Sequence, residues 1–148
     1  MSTGAFARAM KIAATMALAA GIVFVLPNAA RGGELDTDPA VLAALSWLAT
    51  VDAGHYAQSW EDAAESTRTA IPRQQWEDGL RKTRGTRGEV GSRKVKRANF
   101  QKDSFDDAQG FVEIEFETRF GNRPSSLEVV RALPARDGTW KVAGYTIK

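Results

Sequence analysis

The run Phe111–Phe120 alternates without interruption: Val112, Ile114, Phe116, Thr118 and Phe120 share one parity, and Glu113, Glu115, Glu117 and Arg119 share the other. Successive side chains of a strand point to opposite faces, so the pattern predicts a strand with its even positions buried and its odd positions in water. A helix would spread the glutamates around its circumference. Upstream the period lengthens. Asp38-Pro39 fits a helix start, with an aspartate to cap free amides and a proline where no N–H is needed. The helix predicted from there carries Val41, Leu45, Leu48 and Asp52 along one side, flanked by Leu42, Trp47 and Val51, and Gly54 suits a left-handed end. A second helix is predicted over about His55–Glu65, with Tyr56, Trp60 and Ala63 or Ala64 inward, and Ser66–Thr69 interrupts it. A third starts near Pro72, carries Trp76 and Leu80 four apart, and ends near Arg84-Gly85, with Arg73, Glu77, Asp78, Arg81 and Lys82 outward.

Beyond Gly85 the glycines at 85, 88 and 91 forbid a long helix and the chain turns to strands. The first lies within about Glu89–Gln101. Its apolar points Val95 and Ala98 differ in parity, which predicts a bulge near Lys96. Lys102–Gly110 reads as an acidic loop, and Gly121–Pro124 turns the clean strand back. A third strand over Ser126–Leu133 sets Leu127, Val129, Arg131 and Leu133 against Glu128, Val130 and Ala132. Arg136–Thr139 is a hairpin turn with a glycine available for positive φ, and Trp140–Ile147 is the last strand, where Gly144 suggests a bulge or a close approach. Helices first and a meander afterwards predict an α+β domain: about three N-terminal helices packed on one face of a curved four-stranded antiparallel sheet.

Residues 1–30 change the picture of the charge. They hold Arg8 and Lys11, no acid, an uncharged run Ile12–Leu26, and then Pro27. This is the pattern of a secretory signal peptide, and its core is shorter than the ~20 apolar residues that span a bilayer. Cleavage near Ala30 or Gly32 fits; an uncleaved anchor is the alternative. Both put the domain outside the cytoplasm, periplasmic or secreted, with residues 31–38 as a tether and 39–148 as one domain. Without Arg8 and Lys11 the 20 basic residues fall to 18, against 18 acidic. The mature chain is therefore close to neutral despite a sequence pI of about 9.1. With no cysteine there is no disulfide, thiolate metal site or cysteine nucleophile. A single histidine, His55, leaves a Ser-His-Asp triad or a multi-histidine metal site hard to assemble. No metal, no cofactor and no catalytic set are expected.

The remaining candidates are binding residues. Asp52, His55 and Tyr56 lie within one turn of each other, and with Tyr145 they are the groups an enzyme of the cone-fold type would use. The tryptophans, Trp60 among them, line either an apolar ligand pocket or the core. Arg131 is the one charge on an otherwise apolar parity; if buried it needs an internal acid such as Asp52 or a ligand carboxylate, and otherwise it faces water. Arg81, Lys82, Arg84, Arg87, Arg93, Lys94, Lys96 and Arg97 form a basic strip. It either pairs with Glu113–Glu117 across the sheet or attaches the domain to an anionic surface. Nucleic acid does not fit, because the strip has no interleaved aromatics and export removes the partner. The expected partner is an envelope protein or a small apolar ligand, and the membrane is met only through the leader or weak electrostatics.

Three segments carry a resemblance. Trp47–Trp60, Pro72–Trp76 and Trp140–Tyr145 together resemble the bacterial envelope family called domain of unknown function 4019, over roughly residues 40–148. The resemblance implies an exported single domain and supplies no activity or catalytic residue. The order of elements is also similar to the NTF2-like and cystatin-like folds, an analogy of fold and not of chemistry.

Overall fold

The computed structural model describes residues 38–102 and 110–148. The predicted leader, the tether up to residue 37 and the acidic loop over residues 103–109 lie outside the described residues. Four helices come first, α1 (Asp38–Asp52), α2 (Tyr56–Glu61), α3 (Glu65–Ala70) and α4 (Arg73–Arg84). Four strands follow, β1 (Val90–Gln101), β2 (Phe111–Phe120), β3 (Arg123–Pro134) and β4 (Trp140–Ile147). They form one antiparallel sheet in the order β1-β2-β3-β4. The helices pack against this open meander, which is neither closed nor strongly curved, so the expected curvature is not found.

Among the described residues there are four helices and not about three, because Ser66–Thr69 is itself helical and the break falls at Asp62–Ala64. Tertiary bonds decide this. The Ala64 amide donates to the Val142 carbonyl at 2.8 Å, and Thr67 Oγ1 donates to the Ala143 carbonyl at 2.9 Å. These bonds seat α3 against β4. At the end of α1, Gly54 adopts φ 77° as the sequence suggests. The buried stripe of α1, however, is Ala40, Ala44, Trp47, Leu48 and Val51, while Leu42 and Leu45 are 67% and 37% exposed. Alanines at two successive turns let the helix backbone approach the sheet, which rotates the leucines away from it.

The parity of β2 is as the alternation requires: Val112, Ile114, Phe116, Thr118 and Phe120 are all buried. The bulge in β1 also falls where expected, since Val95 pairs with Phe116 and Arg97 with Glu115, leaving Lys96 extra. In β4 the register shifts so that Ala143, next to Gly144, has no partner in β3.

In β3 the less apolar of the two parities is the buried one, and Arg131 takes the solvent alternative. Ser126, Glu128, Val130 and Ala132 are buried, and Arg131 is exposed. The turn at Gly121-Asn122 sets this register. Thr118 pairs with Ser126, Phe116 with Glu128, Ile114 with Val130 and Val112 with Ala132. Directly paired residues share a face, so the buried face of β2 imposes its side on β3.

Between the layers, Trp47 and Trp76 meet edge to face at 6.0 Å. Both indoles end on Ser59: Trp47 Nε1 donates to its carbonyl at 2.8 Å, and Trp76 Nε1 to its Oγ at 3.0 Å. The Ser59 hydroxyl donates in turn to the Tyr56 carbonyl at 2.8 Å. Ser59→Ala is expected to destabilise the fold by about 1–3 kcal/mol, since it leaves a buried indole N–H without an acceptor. Urea unfolding measures this, and a midpoint equal to that of the parent would contradict it.

Candidate functional site

Five side chains from five elements converge where the end of α1 meets the sheet. Asp52 is the last residue of α1, and Arg84 ends α4 on the same stripe as Trp76 and Leu80. Arg93 comes from β1, Glu128 from β3 and Tyr145 from β4. Glu128 is fully buried, and the Arg84 and Arg93 side chains are 6% and 10% exposed. Burying an ion is expensive unless it is paired and hydrogen-bonded, and here two carboxylates balance two guanidiniums.

The geometry is that of a doubly bridged quartet. Arg93 grips Glu128 with Nε and Nη2, at 2.6 and 3.2 Å. The same guanidinium grips Asp52 with Nη1 and Nη2, at 2.7 and 3.1 Å. Arg84 spans the same two acids, with Nη2 to Asp52 at 2.5 Å and Nη1 to Glu128 at 3.1 Å. Thr118 Oγ1 and the Tyr145 hydroxyl donate the remaining bonds to Glu128, each at 2.5 Å. The planar fork of arginine makes such two-sided bidentate contact possible, and a lysine has no equivalent. Arg84 also lies 4.7 Å from the centre of the Phe120 ring, and Tyr145 stands edge-on to Trp47.

Burial pushes the Tyr145 phenol well above its ordinary range, and the adjacent Glu128 charge adds to this. For Arg93, burial acts to lower the pKa, but the bonds to Asp52 and Glu128 outweigh it and hold the guanidinium above its usual value. A consequence for stability follows from Tyr145. Below about pH 10 both folded and unfolded chains keep the phenolic proton, and above it the unfolded chain releases a proton that the folded chain retains. Stability is therefore expected to fall with rising pH from about pH 10 upward, and Tyr145→Phe to remove this share of the slope. Urea midpoints across the alkaline range check it, and equal slopes in parent and variant would refute it.

Of the ligand residues expected from the sequence, Asp52 and Tyr145 enter this cluster. His55 precedes α2, is exposed, and makes no side-chain cap bond. Tyr56 and Trp60 are half-buried against the core, with Trp60 Nε1 donating to the Ile71 carbonyl at 2.8 Å. Arg131 is not inside and does not reach Asp52; it lies on the solvent face, 3.1 Å from Glu113 and over the Phe111 ring. Neither His55, Tyr56 nor Tyr145 lines any of the four described grooves, the largest of which, about 540 Å³, lies between the start of α3 and the β3–β4 hairpin.

The basic strip is not one surface. Arg84 and Arg93 turn inward to the acids, and Arg87 is half-buried, bonded to the Thr83 carbonyl and Ser126. Arg81 pairs with Glu77 and Asp78 along its own helix. Arg97 meets Glu115 across the ladder at 2.5 Å, and Lys94 lies opposite Glu117. Lys82, Lys94 and Lys96 are exposed. Glu128 is not among the expected site residues, although Arg84, eight residues after Trp76 and four after Leu80, is a legible sign of a buried cation in need of an acid.

The model of a family described as protein of unknown function, DUF4019, matches residues 43–145. The chain belongs to the DUF4019 family. The DUF4019 match runs from within α1 to Tyr145 near the end of β4, so all five residues of the cluster fall inside it. Among curated proteins none matches the chain. Among the described residues of this DUF4019 chain, no helix is long and apolar enough to cross a membrane.

Proposed function

We propose that this DUF4019 chain is an exported, noncatalytic binding module whose partner is a protein of the cell envelope. The observation that carries this reading is that both carboxylates of the cluster, fully buried Glu128 and partly exposed Asp52, are bound by arginines. Every buried side-chain nitrogen and oxygen among the described residues has a partner, and Glu128 and Asp52 accept from arginines on both sides. A general base needs a free lone pair within reach of a substrate proton, and a poised acid needs a proton it can release. Tyr145, with its pKa raised and its hydroxyl committed to Glu128, is a poor candidate for either role. Apolar groups instead stand at the surface, at Leu42, Leu45 and Val95. Export rests on the charged start and uncharged core of residues 1–30. The helices-then-meander order supports a place beside the cystatin-like and NTF2-like folds.

Native mass spectrometry of the full chain purified from its own compartment tests the reading. A stoichiometric polypeptide in the complex is expected. Turnover of a small molecule that disappears in a folded Asp52→Asn variant would overturn it in favour of the enzyme reading.

A further inference from the structure

The two edges of the sheet are treated differently. At β4, the Ala64 amide and Thr67 Oγ1 occupy the carbonyls of Val142 and Ala143. At β1, among the described residues, the only strand paired with it is β2, so the outward edge of a 12-residue strand has no strand partner among them. We propose that this edge of β1 is a docking site for an extended polypeptide segment that alternates acidic with apolar side chains and adds as a fifth strand. The inference rests on the binding-module reading and names the chemistry of the partner.

Charge selects that occupant. Arg97 on the solvent face is held by Glu115, whereas Lys94 and Lys96 are exposed and make no ion pair among the described residues. On the inner side of β1 two adjoining grooves of about 320 and 290 Å³ run from these lysines over β2 and β3, sharing Glu117 and Ser125 in their lining. A strand laid against β1 would set its outer side chains over Lys94 and Lys96, where acids are attracted. Its inner side chains would meet Val95, which pairs with buried Phe116 yet is 46% exposed because it stands at the rim of the core. The chain already contains one strand that satisfies both demands: β2 sets Phe116 against Val95 and Glu117 against Lys94.

A second copy of β1 is disfavoured by the same charges, since antiparallel self-pairing would bring Lys94, Lys96 and Arg97 close to their own counterparts. The lysines and the bulge at Lys96 thus reject a like strand and admit an acidic one.

The test uses the full chain and a synthetic 12-residue peptide alternating glutamate with valine, about the length of β1, with a lysine-for-glutamate peptide as control. Amide hydrogen exchange read by NMR is expected to show saturable protection of the β1 amides that face away from β2. Lys94→Glu/Lys96→Glu is expected to weaken binding on the order of tenfold or more, with the fold checked by circular dichroism, and the lysine peptide is expected not to bind. Absence of binding, protection elsewhere than β1, equal binding of both peptides, or dimerisation of the free chain through β1 would each overturn the assignment. If native mass spectrometry still shows a stoichiometric partner, the module reading survives that failure; turnover lost with Asp52→Asn strikes the module reading and not the edge.

Discussion

Glu128→Leu is expected to lower the stability of the domain by about 3–5 kcal/mol, the cost of leaving buried guanidiniums without one of their two counter-ions. The side chain is fully buried and accepts from Arg84, Arg93, Thr118 and Tyr145, so no solvent is at hand to replace it. Volume does not explain such a loss, because leucine nearly fills the space of glutamate. The sign of the double variant separates charge from packing. Adding Arg93→Met to Glu128→Leu restores one cation to one anion in the cluster and leaves the Arg84–Asp52 pair, at 2.5 Å, intact. The double variant is therefore expected to be more stable than Glu128→Leu alone, although it carries one more substitution. Urea unfolding at neutral pH measures both, and a Glu128→Leu cost below about 1 kcal/mol would show that the quartet is not a closed electrostatic unit.

Phe116→Ala is expected to cost a further large amount, about 3–5 kcal/mol, by removing the largest fully buried side chain and leaving a cavity between the sheet and α1. Its neighbour Glu117 is exposed on the other face, and Glu117→Ala is expected to change stability by no more than about 0.5 kcal/mol. Adjacent residues with so different a cost are the energetic signature of a two-faced strand. Similar unfolding midpoints for the two variants would contradict the observed parity.

The same strand shows what a sequence can and cannot disclose. In β2 every even residue is apolar or threonine and every odd one after Phe111 is charged, so its buried face is legible from pattern alone. In β3 both parities hold aliphatic residues, Leu127, Val129 and Leu133 on one side and Val130 and Ala132 on the other, and counting them chooses the wrong face. Glu128 and Arg131 add to the ambiguity, because the buried acid stands on the parity with fewer aliphatic residues and the arginine on the richer one takes the solvent alternative. Register resolves what composition does not: once Gly121-Asn122 folds β3 back on β2, Phe116 and Thr118 fix Glu128 and Ser126 on their own side. The ion cluster was invisible for a related reason. Its members are spread from residue 52 to residue 145, and only the assembled sheet brings them together. Asp52 and Tyr145 stand out in the sequence by their chemistry, but their partners Arg84 and Arg93 sit within a basic run.

The bonds from Ala64 and Thr67 to β4 bear on how the sheet can grow. A sheet open at both ends can recruit copies indefinitely, each newcomer offering a fresh ladder to the next, and so grow into a fibril. With Val142 and Ala143 of β4 already bonded to the start of α3, strand addition at the proposed β1 edge would extend the sheet in one direction only.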